Sequence, residues 1–257
     1  MTDIATDAPP KSLYKYRGFD KNRAGGEPYE WDRSIIVGCS LWAGSPLAFN
    51  DPFDCYPVID FEGTQDEKAA WAAKFAPKSG LPIHTILEII ENALSNPLTR
   101  VQLSKWRETV KEVGVLSLTE RPDDMLMWAH YANSHHGYCL EFDATIQPLS
   151  LAYRVYYADE RPTFRLFDSN TEDNVKRILL HKAEFWRHES EWRMVGPANT
   201  GPVVFPPQGL KSIILGAGIA GEDVTALRAI AAEREIPVAF KRARLAERDY
   251  CVEITDT

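Results

Sequence analysis

Two glutamates one residue apart, Glu189 and Glu191, stand in a stretch that alternates between charged and apolar side chains. On a β-strand, successive side chains point to opposite faces of the sheet. Glu189, Glu191 and Arg193 would therefore share one face, and Trp192 and Met194 would share the other. The two apolar side chains require a core, so the charged face looks away from it. That face is either a solvated edge or the wall of a polar pocket, and this choice decides whether the protein is an enzyme.

The order of predicted elements indicates an α+β fold. Strand-like segments are interleaved with helices of unequal length, and the chain has no internal repeat and no Ser/Gly-rich linker. With 257 residues, of which 44% are hydrophobic, it is long enough for one large domain. We expect a single domain over residues 13–250, with a mixed central sheet that could be split and a helical insertion between residues 65 and 112. Residues 1–12 are predicted to be a flexible tail, and residues 251–257 a C-terminal tail.

Net charge and hydropathy limit the partners of the chain. The formal net charge of −8 gives no overall field that attracts duplex nucleic acid, although a local basic groove stays open. No apolar run approaches the roughly 20 residues of a membrane span, and the N-terminus lacks the apolar segment of a signal peptide. The four cysteines form no close pair of the zinc-binding kind. By default we expect a cytoplasmic protein of a bacterium-like cell, with no membrane partner.

A G-x-G-x-x-G motif is formed by Gly216, Gly218 and Gly221 between a predicted strand and a predicted helix. This spacing occurs in dinucleotide-binding folds, which build a doubly wound sheet after the first turn. Only about 35 residues follow the motif, and Phe240-Lys241-Arg242 stands where the ribose-binding acid belongs. The motif is therefore predicted to be a tight turn between strand and helix.

A second cluster holds His130 and Tyr131 on a predicted helix near residues 125–133. The pair could stack on a flat ligand and donate hydrogen bonds to it, as catalytic residues would. Trp, Met and Tyr at helical spacing are also typical of a core, and His130 could be a core histidine. His130 and His135 are five residues apart and do not share a helical face, so no metal site is predicted.

Four further polar residues are candidates for ligand binding. Ser45, Asn50 and Asp51 lie in a turn-rich stretch after a predicted strand. Such a stretch is either structural or a binding loop, because loops at strand ends often carry binding residues. Lys182 interrupts the apolar stripe of a helix predicted over residues 173–185. Its ammonium either reaches solvent or faces an anion in the pocket of the glutamates.

Several blocks of uncommon residues occur in a fixed order. They are Leu13-Tyr-Lys-Tyr-Arg17, Phe49-Asn-Asp-Pro-Phe-Asp54, Met127-Trp-Ala-His-Tyr131, His135-His-Gly137 with Cys139, and Lys182-x-x-x-Trp186-x-x-Glu189-x-Glu191-Trp-Arg193. In this combination the chain resembles the bacterial family called domain of unknown function 2971, from about residue 13 to about residue 218. The family name carries no function, so the resemblance implies relationship and leaves activity open.

The layout is also similar, more distantly, to the ADP-ribosyltransferase superfamily, whose enzymes use NAD and carry a late glutamate, often as Glu-x-Glu. The resemblance implies that Glu191 stabilises the positive charge that develops on the ribose, while Glu189 acts on the acceptor. It also implies that Tyr131 stacks on the nicotinamide ring. His130 is a further candidate for a catalytic residue. The residues assigned to NAD binding are Tyr16, Arg17, Ser45, Asn50, Asp51, Lys182 and Arg193.

The chain departs from that superfamily in two places. The first-strand histidine is absent from Leu-Tyr-Lys-Tyr at residues 13–16, and the Ser-Thr-Ser triplet is missing. In addition, an ion pair between Arg193 and Glu191 would make the supposed catalytic carboxylate unavailable to a substrate.

Three functions follow as hypotheses. The first is an ADP-ribosyltransferase-like enzyme that uses NAD, with a nucleic acid, protein or small molecule as acceptor. The second is a non-catalytic domain that binds a nucleotide or another small ligand, with a stress or defence role. The third is a histidine-dependent hydrolase or nuclease. Oligomeric state is left open.

Overall fold

The computed structural model describes residues 7–19, 28–103, 110–168, 170–196 and 200–257, and it confirms an α+β fold with a large mixed sheet. The strands are β1 (Ser12–Arg17), β2 (Ser40–Ala43), β3 (Val58–Asp60), β4 (Val115–Thr119), β5 (Tyr138–Asp143), β6 (Tyr153–Arg154), β7 (Tyr156–Ala158), β8 (Thr163–Arg165), β9 (His181–Ala183), β10 (Glu191–Val195), β11 (Gly201–Val204), β12 (Leu210–Leu215), β13 (Ala239–Leu245) and β14 (Val252–Asp256). The α-helices are α1 (Glu30–Ile36), α2 (Gln65–Ser79), α3 (Ile83–Ser95), α4 (Pro97–Leu103), α5 (Met125–Tyr131), α6 (Thr171–Leu179) and α7 (Gly221–Ala232). Short 3-10 helices span Pro46–Ala48, Leu149–Leu151, Glu184–Glu189 and Pro207–Gly209.

The chain divides into two compact units. The first comprises Met1–Gly44, Gly114–Val155 and Phe185–Thr257, and the second comprises Ser45–Val113 and Tyr156–Glu184. The second unit contains α2, α3 and α4, so the helices predicted between residues 65 and 112 are present up to Leu103. Residues 104–109 lie outside the described part of the chain.

The first unit is built on an eight-stranded sheet in the order β14-β13-β12-β5-β1-β4-β10-β6. Only β12 and β13 run parallel, because α7 connects them, while the other neighbours are antiparallel. The five residues from Tyr138 to Phe142 on central strand β5 are buried on both faces of the sheet.

One face of this sheet carries the main hydrophobic core. Apolar side chains from six strands and two helices meet there, including Leu13, Leu140, Trp192, Ile213 and Leu227. All five are at most 3% exposed. Burial of this apolar area supplies most of the stability of the unit.

The opposite face of the sheet is partly polar. The strand register places Ser212, Glu141, Tyr14, Thr119 and Glu191 in one row across β12, β5, β1, β4 and β10. Helix α5 covers part of this face with Met127 and Trp128, which pack with Tyr16 and Cys139. The polar row is therefore a buried feature and requires hydrogen-bond partners.

Glu141 receives hydrogen bonds at the centre of the polar row. The hydroxyl of Ser212 and the ammonium of Lys241 donate to Oε2 at 2.6 and 2.7 Å, and the hydroxyl of Ser12 donates to Oε1 at 3.0 Å. Burial by itself raises the pKa of Glu141, but the bonds from Lys241, Ser212 and Ser12 outweigh it and lower the pKa to about 2.

The second unit is organised around helices and two short parallel strand pairs. Strand β3 pairs with β8, and β7 pairs with β9. Helix α2 begins at a capping box, in which Thr64 and Glu67 bond to each other's backbone N–H. Val110 and Ile178 are the buried centre of a small apolar cluster.

The prediction of a C-terminal tail at residues 251–257 was wrong. Val252–Asp256 forms β14, which pairs antiparallel with β13 at the edge of the eight-stranded sheet. The alternation in this segment is too short to identify without its partner strand. At the other end, β1 already begins at Ser12, within the predicted tail of residues 1–12; residues 1–6 lie outside the described part of the chain.

The G-x-G-x-x-G turn connects β12 to α7, as the sequence indicated. The amide of Gly216 donates to the carbonyl of Gly137 at 3.0 Å, and a Cβ on Gly216 would lie 2.3 Å from the carbonyl oxygen of His135. A Cβ on Gly221 would contact nothing within 4 Å. Close approach of the segment 135–137 thus explains Gly216 without a ligand.

Substitution of Glu141 by Gln should change the pH dependence of stability. The folded pKa is below the usual value near 4.5, so the carboxylate stabilises the fold above that pH and loses this effect as the pH falls towards about 2. The free energy of unfolding of the wild type should fall across this window in urea titrations. The Glu141→Gln variant should be less stable at pH 6 and show a smaller fall. An equal fall in both proteins would contradict this prediction.

Gly216→Ala and Gly221→Ala should differ sharply in stability. The first places a Cβ against backbone oxygen that cannot move away, and overpacking of this kind costs about 1–3 kcal/mol or more. The second adds a methyl group in open space and should change stability by less than about 1 kcal/mol. Thermal unfolding of the two variants is the measurement, and equal loss in both would contradict the packing explanation.

Candidate functional site

The predicted strand face begins at Glu191 and does not include Glu189. Strand β10 spans Glu191–Val195, whereas Glu189 ends a 3-10 helix. Ser190 between them has a left-handed backbone with φ of 43°. The prediction that Glu189, Glu191 and Arg193 line one strand face was therefore wrong for Glu189. The left-handed backbone conformation of Ser190 cannot be recognised from the sequence, because a serine at this position is also compatible with the side-chain alternation of a strand.

Glu191 and Arg193 form a buried ion pair on one face of β10. The guanidinium donates from Nε to Oε1 at 2.8 Å and from a terminal nitrogen to Oε2 at 3.0 Å. The Arg193 side chain is 0% exposed and that of Glu191 is 4% exposed. Trp192 between them points into the main core. The alternation predicted for residues 191–193 thus holds, and its charged face is buried.

Glu189 is held by contacts from two other elements. The phenol of Tyr131 on α5 donates to Glu189 Oε1 at 2.7 Å, and the hydroxyl of Thr119 on β4 donates to the Glu189 carbonyl oxygen at 2.5 Å. Glu189 is 3% exposed. The structure therefore brings together Tyr131 and Glu189, two of the four residues predicted to be catalytic.

His130 does not join this contact. It lies on the exposed side of α5, with its ring 6.3 Å from that of Tyr131 and 6.5 Å from that of Trp186, measured between centroids. Helix α5 begins at Asp124, whose carboxylate caps the amide of Met127, and buries Met127 and Trp128. The burial of these two side chains fixes the helix face, so Tyr131 points inward and His130 outward.

The backbone after α5 is unusual. Asn133, Ser134 and His135 have φ of 48°, 52° and 68°, a left-handed run of three residues that are not glycine. Such residues cost about 1–3 kcal/mol each where they are strained. The His135 ring stacks on Trp128 at 6.5 Å, and burial lowers the pKa of His135. This turn brings the chain back into β5 at Tyr138.

Tyr16 and Arg17 lie on opposite faces of β1. The Tyr16 phenol donates to the carbonyl of Arg121 at 2.8 Å, and its ring packs edge-on against Trp128 at 5.0 Å in the interior. Tyr16 is therefore part of the interior, and its assignment to NAD binding stays a prediction. Arg17 lines a cavity of the first unit together with Lys15.

Three predicted binding residues lie in the second unit, and two of them make local turn contacts. The Ser45 hydroxyl accepts a bond from the amide of Leu47 at 3.3 Å, and Asp51 Oδ1 accepts one from the amide of Phe53 at 2.8 Å. Asn50 is exposed. These contacts are those of a cap and an Asx turn, as the structural alternative predicted.

Lys182 is neither on a helix nor at the surface. It lies on β9, is 7% exposed, and its ammonium is 3.6 Å from Oδ2 of buried Asp54. The interpretation that its ammonium reaches solvent was wrong, because the helix ends at Leu179 and the chain continues as a strand. The alternative was a lysine that faces an anion. The carboxylate of Asp54, in the same second unit, is such an anion.

Four buried acids were missed as site residues. Asp32, Asp54, Glu141 and Asp223 are each at most 5% exposed. Glu141 interrupts an apolar strand sequence, which could have indicated a buried charge. Asp32 stands beside charged and polar residues, and Asp54 lies in a turn-rich stretch, so neither gives such a signal.

The part of the chain that the structure describes contains no group of three or more His, Cys, Asp or Glu placed to hold a metal ion. None of its described helices is long and apolar enough to cross a membrane.

Comparison with known proteins identifies one family. Residues 127–194 match the model of the family described as "Protein of unknown function (DUF2971)". The match covers α5, β5 and β10, and so includes Tyr131, Glu189, Glu191 and Arg193. No curated protein and no solved structure matches the chain. The resemblance to domain of unknown function 2971 is thereby confirmed over residues 127–194, and similarity to the ADP-ribosyltransferases stays a prediction.

Glu191→Gln should be strongly destabilising. The substitution leaves the buried Arg193 guanidinium without its carboxylate, and loss of one partner of a buried pair costs about 3–5 kcal/mol. The double variant Glu191→Gln/Arg193→Met should recover part of this loss, because it removes the uncompensated charge. The measurement is urea unfolding at neutral pH.

Glu233→Gln is the matched control, since Glu233 pairs with Arg33 at the surface. An exposed pair contributes at most about 1 kcal/mol. Equal losses for Glu191→Gln and Glu233→Gln would show that the buried pair is not a determinant of stability.

Proposed function

We propose that this chain, whose residues 127–194 belong to the DUF2971 family, is a ligand-binding domain and not an ADP-ribosyltransferase that uses Glu191. The proposal adopts the second of the three functions that the sequence suggested. The ligand class is a nucleotide or another small anion.

The arrangement of Glu191 carries this proposal. A glutamate that stabilises a ribose cation must present negative charge to the substrate. Both carboxylate oxygens of Glu191 accept hydrogen bonds from Arg193, and the pair is buried. The negative charge is compensated within the protein, so Glu191 is suited to a structural role.

A cavity in the first unit supports binding. It has a volume of about 140 Å³ and is lined by residues of β1, α1, β2, β4 and β11, among them Lys15, Arg17, Trp31 and Trp42. Concave sites with a few polar groups among apolar walls are typical of small-molecule binding. The cavity lies on the core face of the sheet, away from Glu191.

ADP-ribosyl transfer from NAD is a second candidate, and the contact between Tyr131 and Glu189 favours it. These residues were both predicted to be catalytic, and the phenol lies 2.7 Å from the carboxylate. In this candidate Glu189 rather than Glu191 is the carboxylate that acts, with a nucleic acid, protein or small molecule as acceptor. The histidine-dependent hydrolase, the stress or defence role and the cytoplasmic location stay predictions.

Labelled NAD distinguishes the two functions. The purified protein would be incubated with NAD in three mixtures: alone, with cell extract, and with nucleic acids. We expect neither NAD consumption nor label transfer above the level of a Glu189→Gln variant, because Glu191 is neutralised. The measurements are NAD loss by chromatography and label in macromolecules.

Transfer by the wild type would contradict the proposal. Loss of that transfer in Glu189→Gln and in Tyr131→Phe would support the second candidate, since Tyr131→Phe removes the hydrogen bond to Glu189 and keeps the aromatic ring. Circular dichroism of each variant would show that the fold is intact.

A further inference from the structure

Two cations line the same side of one cavity. Lys15 and Arg17 are two residues apart on β1, so their side chains leave the same face of the sheet. Lys15 Nζ donates a hydrogen bond to the carbonyl of Ser117 at 2.7 Å. Two cations on a small cavity wall create a local positive field within a chain of net charge −8.

The guanidinium of Arg17 has an unusual environment. Its Nε is buried and has no hydrogen-bond partner among the described residues. An unsatisfied buried donor costs about 1–3 kcal/mol, and more when the group is charged. The nearby acid is Asp32, which accepts a hydrogen bond from the Tyr138 phenol. Burial raises the pKa of Asp32, while the hydrogen bond from Tyr138 and the positive charge of Arg17 act in the opposite direction.

Aromatic rings form the other wall. Trp31 of α1 and Trp42 of β2 meet edge-to-face with ring centroids 6.1 Å apart. Trp42 is 52% exposed, which is high for a tryptophan. An exposed aromatic face beside cations can stack on a planar ring of a ligand.

The size of the cavity limits what enters it. The cavity has a volume of about 140 Å³. Complete ligand pockets are usually about 300–1,000 Å³. The cavity therefore encloses one charged group, and the rest of the ligand lies against its rim.

We infer that this cavity binds a small phosphorylated ligand, with the phosphate at Arg17 and Lys15 and a flat ring stacked on Trp42. The inference rests on the proposed ligand-binding function and names the ligand class. A guanidinium matches the geometry of phosphate oxygens, and charge-assisted hydrogen bonds are the strongest available to the protein.

Calorimetric titration with AMP, inorganic phosphate and adenosine tests this assignment. We expect AMP to bind, and phosphate and adenosine each to bind at least tenfold more weakly, because each supplies only half of the contacts. Arg17→Gln should weaken AMP binding at least tenfold, through loss of the guanidinium. Trp42→Ala should weaken AMP binding and leave phosphate binding unchanged, because it removes only the stacking surface.

Arg154→Gln is the matched control, since Arg154 is an exposed arginine on β6 of the same sheet and does not line the cavity. Its affinity for AMP should equal that of the wild type. If Arg17→Gln does not fold, Trp42→Ala still tests the assignment. Trp42 is about half exposed to solvent, so removal of its ring should leave the fold intact. Circular dichroism checks each variant.

Two results would overturn the inference. One is the absence of binding of all three probes at millimolar concentration. The other is AMP binding that neither cavity substitution weakens; this would place the ligand elsewhere and leave the proposed ligand-binding function standing. Failure of the proposed function has a different signature, which is label transfer from NAD that depends on Glu191 or Glu189.

Discussion

A guanidinium with no exposed surface is the most demanding feature of this protein. Removal of Arg193 from water is costly, and the carboxylate of Glu191 offsets this cost through two parallel hydrogen bonds. Both residues lie on β10, which is placed between β4 and β6. The register of β10 against β4 is therefore strongly specified, because a shift by one residue would turn the ion pair into the hydrophobic core and place Trp192 on the polar face.

The two faces of the eight-stranded sheet are stabilised by different physics. One face is held by non-directional burial of apolar side chains. On the other, Glu141 gathers donors from Ser12, Ser212 and Lys241, and Thr119 and Tyr131 fix Glu189. Hydrogen bonds are directional, so this face specifies positions more narrowly than the core does. The left-handed residues after α5 and at Ser190 set these groups in place, and their strain is tolerated because the surrounding contacts outweigh it.

The sequence indicated which polar residues matter more reliably than it indicated their roles. The alternation of Glu191, Trp192 and Arg193 predicted a two-faced strand, and the order of rare residues predicted the family. Glu189 was misplaced because the conformation of Ser190 depends on contacts made by Thr119 and Tyr131, which are distant in sequence. Lys182 was misplaced because the helical spacing of apolar residues continues in the sequence beyond Leu179. In the structure the helix ends at Leu179, and Lys182 lies on β9 and pairs with Asp54. Local patterns do not report contacts of this range.

The sequence by itself determined the α+β class, the two-faced strand at residues 191–193 and the candidate acids, because periodicity and composition depend only on neighbouring residues. The tertiary structure alone decided that the charged face is buried, that Arg193 neutralises Glu191, and that Lys15 and Arg17 share a cavity with two tryptophans. These facts depend on which strands become neighbours in the sheet. That choice is made by the free energy of the whole core, and no single segment encodes it.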